Sequence, residues 1–335
     1  MRGMKGIGLL VALTVASAMV VGAYKLVAAA DVPPASIKGK KLSFAAGATG
    51  SAGFARSVQW AQIVNSELGT QIAVETSAGA AAGPTLAQRK IADMANGYMG
   101  LLGEAYNGEG RYKEKHLDIR AIFPVGFHLI QFYTLPKNKI NSIKDLNGKR
   151  VSLSRAGAGV DAYVRRIFPA IGVKPSKIVN LSPSEGTDLL KNAQLDACGL
   201  MGYHHPTIIE AASTIDVVVF GIEPAFAPAI NKALPTLQEM SIPANIYRGQ
   251  TKQLVTMGDP EIATTHKDTP EEVVYWIVKA TYKNAERMGK FEPSFGASLK
   301  EPERMKRSPI PLHKGAYRYF KEIGIDIPIA IIPKD

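Results

Sequence analysis

Cysteine is nearly absent from this chain of 335 residues, in which Cys198 stands alone. A lone thiol forms no internal disulfide. Its place in the apolar run DACGLMG, 196–202, reads as a small buried hydrophobe rather than a nucleophile. Other signatures are missing as well. No G-x-x-x-x-G-K-[ST] loop and no H-E-x-x-H pair occurs. The adjacent His204 and His205 point apart on an extended loop, so a shared metal is not expected. No Ser-His-Asp, Cys-His or paired-carboxylate set has local support, which argues for binding rather than catalysis. No basic stripe alternates with aromatics, so the net charge of +11 suits anionic ligands better than nucleic acid. No internal repeat or low-complexity block interrupts the chain.

What is present begins with residues 1–30, which read as an export signal. Arg2 and Lys5 precede the apolar run Ile7 to Val21, and Ala28-Ala29-Ala30 offers a cleavage site. That segment has neither the Arg-Arg pair of a twin-arginine leader nor the cysteine of a lipoprotein. A signal of this kind predicts a periplasmic protein, with a retained anchor as the alternative. Residues 31–39 read as a tether.

Beyond it, apolar strands alternate with amphipathic helices, which predicts an α/β layered fold with a largely parallel sheet. A strand at Leu42 to Ala46 runs into Gly47, Gly50 and Gly53, with Thr49 and Ser51 between them. A helix carrying Phe54, Val58, Ala61 and Val64 on one stripe follows. The design recurs at VSLSRAGAGVDAY, 151–163. Such loops aim backbone N–H groups and hydroxyls at an anion. Thr49, Ser51, Ser77, Ser152 and Ser154 supply hydroxyls, and Arg155 would add a bidentate clamp. Tyr203 or His204, at the end of the strand DACGLMG, lies where ligands of open α/β sheets gather. A helix through Met94, a strand near Tyr98 to Leu102, and a buried run from Ile122 to Leu135 that holds His128 are also expected. Near Leu254 a short strand, QLVTMG, turns back. It leads to a helix with Thr269 as N-cap and Pro270 at its first position.

Dinucleotide binding does not fit, because the glycines are spaced G-x-x-G-x-x-G rather than G-x-G-x-x-G. The Tyr-x-x-x-Lys pairs at Tyr133/Lys137 and Tyr317/Lys321 read as coincidences. A lobe over 133–252, inserted into a lobe of 40–132 plus 253–335, is the expected organisation. Its hinges fall near Gln131–Leu135 and Gln253–Met257.

Four segments, AAGATGSAGF (45–54), SIKDLNGKRVSLSRAGAGVDAY (142–163), IPANIYRGQ (242–250) and PLHKGAYRYFKEIG (311–324), resemble the TAXI-type solute-binding proteins of TRAP transporters. The resemblance implies a type II periplasmic binding protein fold, two α/β lobes with an interlobe ligand cleft. It also implies a monomer without cofactor that hands a small organic anion, a carboxylate or an amino acid, to a TRAP membrane permease. Thr49, Gly50, Ser51 and Phe54 match the family's first ligand loop. Gly157 and Gly159 match a G-S-G-T loop in which Ala158 and Val160 replace the hydroxyl residues. Ser77 and Ala78 fall in the second loop, followed by an Ala-rich insertion up to Pro84. These departures predict a carboxylate with fewer polar groups than glutamate. An ABC-importer binding protein of the same architecture, or a secreted α/β dehydrogenase-like enzyme, are the alternative readings.

Overall fold

The computed structural model describes residues 32–47, 52–78, 80–156 and 158–334. The expected export signal, Thr49, Gly50, Ser51 and Gly157 therefore lie outside the described residues. In chain order the first elements are β1 (Lys41–Ala45), α1 (Ala52–Leu68), β2 (Gln71–Glu75), α2 (Gly83–Gln88), β3 (Met94–Tyr98) and α3 (Met99–Asn107). The long strand β4 (Ile119–Thr134) leads to β5 (Arg150–Ser152), α4 (Gly159–Ala170), β6 (Lys177–Val179), α5 (Pro183–Lys191) and β7 (Ala197–Met201). Then come α6 (Pro206–Thr214), β8 (Val218–Phe220), α7 (Ala227–Ala233), β9 (Gln238–Ile242) and the second long strand, β10 (Leu254–His266). The chain ends with α8 (Glu271–Lys283), α9 (Ala285–Phe291), α10 (Pro293–Leu299) and α11 (Lys314–Glu322).

The sheet order is β2-β1-β3-β10-β4-β7-β5-β6, with β8 on β4 and β9 on β10. β1 pairs in parallel with β2 and β3, and β5 with β6 and β7, so each half carries a parallel α/β sheet. β4 and β10 join them. The first half of β4 pairs with β10, and its last residues, Ile130 to Thr134, pair with β7 and β8. These are two lobes on crossing strands. Apolar side chains from β4 reach both sides: Phe123 enters the core of the first lobe and Phe132 that of the second.

The β4–β10 ladder bends on the first-lobe side of the crossing. The β4–β10 register shifts between Glu261 and Ile262 and again between Ala263 and Thr264. Gly126, opposite Glu261, has φ +147°, and a Cβ there would lie 2.9 Å from Ser294 Oγ and 3.3 Å from Arg56 Nη1. Only glycine lets α10 and the Arg56 side chain come this close to the strand.

Three local expectations shift. The helix read through Met94 ends at Gln88, where Lys90 turns with φ 53°. Met94 instead opens β3, and small residues such as Ala95 and Gly97 let that strand sit between β1 and β10. β10 continues eight residues past the Gly258 at which the sequence suggested a turn. Asp259 and Pro260 look like a turn but lie in the middle of the strand, where paired polar groups replace an apolar pattern. α8 starts at Glu271 with Pro270 as N-cap, and Thr269 bonds to Thr265. Cys198 is buried, its Sγ donates to the Gly186 carbonyl at 3.3 Å, and burial pushes the thiol up to about 12.

Candidate functional site

A cavity of about 230 Å³ opens between the lobes. From the first lobe come Ala78, Ala80 and Ala81 after β2, Tyr98 at the end of β3, Leu101 on α3, and Arg111 in the loop beyond. Gly159, Ala162 and Tyr163 on the first turns of α4 close it from the second lobe. The approach is tight: a Cβ on Gly159 would lie 3.0 Å from Met201 Sδ and 3.4 Å from the Tyr98 ring.

The Ala-rich wall is held from both ends. Tyr112 Oη donates to the Ala81 carbonyl at 2.8 Å. A Cβ on Gly83 would stand 1.8 Å from the Asn96 carbonyl, so α2 rests directly on β3. Ser77 is bound to the first glycine loop, accepting from the Gly47 N–H at 2.8 Å while its own N–H donates to the Gly47 carbonyl at 2.9 Å.

A buried polar network lies behind the tyrosines. Asp259 and Glu261 share one face of β10 and are 0% and 3% exposed. Glu261 is ion-paired with Arg56, accepts from Asn96 Nδ2, and stands 2.9 Å from His128 Nε2. Burial alone would raise its pKa; the Arg56 and His128 partners prevail and hold it down at about 2. With Nε2 donating to this carboxylate, His128 Nδ1 is left to accept from Tyr98 Oη at 3.4 Å, and the two rings lie 4.6 Å apart. Asp259 is different. Its Oδ2 accepts from Tyr163 Oη and from the Gly100 N–H at 3.0 Å, but its Oδ1 is buried without a partner. Burial dominates and pushes its pKa up to about 7. Tyr98 and Tyr163 are raised chiefly by burial too, so both stay neutral phenols.

Asp259 thus receives one hydrogen bond from α3 of the first lobe and one from α4 of the second. A second contact between these helices, Arg166 to Glu104 at 2.9 Å, lies in a neighbouring cavity of about 510 Å³, which Tyr163 also lines.

The structure brings only some of the sequence candidates to this cavity. Ala78 and Gly159 line it, and Ser77 lies beside Ala78. Ala158 is the N-cap of α4 and packs on the second-lobe core, while Val160 is buried within that core. Ser154 holds φ 59°, and its carbonyl accepts from Leu181 N and Asn180 Nδ2. Arg155 is exposed and lies near Glu185 of α5, not in the cavity lining. Phe54 packs on the first-lobe core. Tyr203 and His204 stack at 4.2 Å beyond β7, outside the cavity lining. Burial lowers the His204 pKa, and its Nε2 has no partner. Tyr98, Arg111, Asp259 and Glu261 went unread because none lies in the two glycine-rich motifs, and Tyr163, which closes the second motif, was passed over for the residues of its loop. The one available signal was a pair of acids flanking a proline in an otherwise apolar segment.

Residues 44–324 match the NMT1-like family. The chain belongs to that family. Among solved structures, this family member is similar to MatC (Rpa3494) from Rhodopseudomonas palustris with bound malate. Identity is 14%, coverage 85% of this chain and 96% of that one, and the TM-score 0.52. It is also similar to the probable amino-acid ABC transporter extracellular-binding protein ytmK from Bacillus subtilis. There identity is 12%, coverage 77% and 98%, and the TM-score 0.49. A third is the L-cystine solute receptor of Neisseria gonorrhoeae in the unliganded open conformation, at 12% identity, 78% and 96% coverage and a TM-score of 0.47. The likeness concerns the fold, that of a type II periplasmic binding protein with two lobes. Among the described residues no helix is long and apolar enough to cross a membrane, and no group of three or more His, Cys, Asp or Glu could hold a metal ion.

Proposed function

We propose that this protein is a periplasmic solute receptor rather than an enzyme, and that it closes its two lobes on a small organic anion. The observation that carries this reading is the cavity lined from both sides, by Tyr98 and Ala78 on one lobe and Gly159 and Tyr163 on the other. A ligand there touches both lobes only when they are closed, so its binding favours closure. MatC, the fold neighbour with bound malate, agrees with a small acid as ligand.

A thermal-shift screen of carboxylates, amino acids, sulfonates and nicotinamide cofactors tests the reading. A ligand that binds only the folded state stabilises it by RT ln(1 + [L]/Kd), about 2.7 kcal/mol at a hundredfold excess over Kd. The Gly159→Leu variant, whose side chain would fill the space beside Tyr98 and Met201, should fold and lose the shift. An unchanged shift in that variant would place the ligand elsewhere, and a shift with nicotinamide cofactors alone would indicate an enzyme.

Delivery to a TRAP-type permease is supported by the four segments that resemble TAXI receptors. Of these, IPANIYRGQ holds Tyr247, whose Oη donates to Gln131 Oε1 on β4, and PLHKGAYRYFKEIG forms α11 with His313 as its N-cap. Uptake into vesicles carrying the permease should stop when the ion gradient is dissipated and should not need ATP. Dependence on ATP would favour an ABC importer.

A further inference from the structure

We infer, resting on the receptor reading above, that the ligand is a monocarboxylate with a compact aliphatic body, and that Arg111 holds its charge. Arg111 is the only charged residue among the described lining residues. It is exposed, and no acid among the described residues forms an ion pair with it. A guanidinium presents two parallel N–H donors to a carboxylate, a fit that gives geometry as well as charge.

The rest of the lining decides what the ligand lacks. Ala78, Ala80, Ala81, Leu101 and Ala162 offer methyl groups. The two tyrosine hydroxyls are already engaged, Tyr163 with Asp259 and Tyr98 facing His128, so the rings and not the hydroxyls are available to the ligand. The Ala81 carbonyl is taken by Tyr112. Among the described lining residues no acidic side chain stands ready for the ammonium group of an α-amino acid, and an unpaired charge in such a place is costly. The buried carboxylates do not serve, since Glu261 is committed to Arg56, Asn96 and His128, and Asp259 to Tyr163 and Gly100. A dicarboxylate would need a second cation, and the described lining has none.

A cavity of about 230 Å³ suits a small acid. Isovalerate and 4-methylpentanoate are small acids with a single charge and a branched apolar end that suits the alanine wall.

Calorimetric titration of the purified protein with isovalerate, 4-methylpentanoate, isovaleramide, leucine, malate and glutamate tests this. The two monocarboxylates should bind, with isovaleramide, leucine, malate and glutamate at least tenfold weaker. Arg111→Gln should weaken isovalerate at least tenfold and change the melting temperature of the ligand-free protein little, because the side chain makes no ion pair among the described residues and is exposed. Arg111→Lys should recover part of the loss. Isovaleramide binding as tightly as isovalerate, or Arg111→Gln binding like wild type, would overturn the assignment of Arg111. Leucine, malate or glutamate binding more tightly than the monocarboxylates, with that binding lost in Gly159→Leu, would overturn the ligand class and leave the receptor reading standing. Tight binding of any of these acids that Gly159→Leu retains would overturn both.

Discussion

Two carboxylates two residues apart on β10 have opposite electrostatic fates. Glu261 has a guanidinium, an imidazole and an amide around it, so it stays ionised although it is buried. Asp259 has only neutral donors and one empty oxygen, so burial prevails and its pKa stands at about 7. Groups facing it are Tyr163 from α4, Gly100 from α3, His128 from β4 and Glu104 from α3. The consequence for stability has a definite sign. An aspartate in the unfolded chain titrates near 3.8, so between about pH 4 and pH 7 the folded protein holds a proton that the unfolded chain has released. Stability contributed by that proton falls as pH rises through this window and is gone above it. Asp259→Asn keeps an acceptor for Tyr163 and Gly100 and removes the titration. Urea unfolding at pH 5 and pH 8 should show the variant gaining on wild type at the higher pH. Parallel pH dependence in the two proteins would contradict this.

At the scale of elements, the cavity wall depends on a loop with little structure of its own. Residues 80–82 make turns, and the Tyr112 hydroxyl to Ala81 is the side-chain bond that fixes them. Tyr112→Phe should cost about 1 kcal/mol, read in calorimetry as roughly fivefold weaker ligand binding, since 1.4 kcal/mol is tenfold. Affinity equal to wild type would show that the wall is held by other contacts. The elements themselves were largely legible. A short apolar run gave β1, alternation in TQIAVETS gave β2, the stripe of Phe54, Val58, Ala61 and Val64 gave α1, and the Ser142–Asp145 capping box stands where SIKDL reads as a capped short helix. β3 and the second half of β10 were not legible, because their residues are small or polar and become buried only through long-range pairing. For the site, Ala78 and Gly159 sit in loops with a local signature. Tyr98, Arg111, Tyr163 and Asp259 meet only after the chain has crossed between the lobes twice, so nothing in their local sequence announces the meeting.

For the whole molecule, the crossing strands decide how the lobes can move. β4 runs through both sheets, pairing first with β10 and then with β7 and β8, while β10 pairs with β3, β4 and β9, and the register shifts after Glu261 and after Ala263 mark a bend in the β4–β10 ladder. Next to that bend Asp259 binds α3 and α4 together, and Arg166 joins Glu104 across the same gap. The proposed closure on an anion would therefore depend on few polar contacts and a narrow cavity. The distance between the lobes, with and without isovalerate, tests this most directly. Spin labels at Ser66→Cys on α1 and Lys174→Cys beyond α4 report it, since both positions are exposed and the native Cys198 is buried with its thiol pushed up to about 12. Saturating isovalerate should shorten and narrow the distance distribution, and Arg111→Gln should cancel that change. A distribution that isovalerate leaves unaltered, although calorimetry shows it bound, would contradict capture between the lobes.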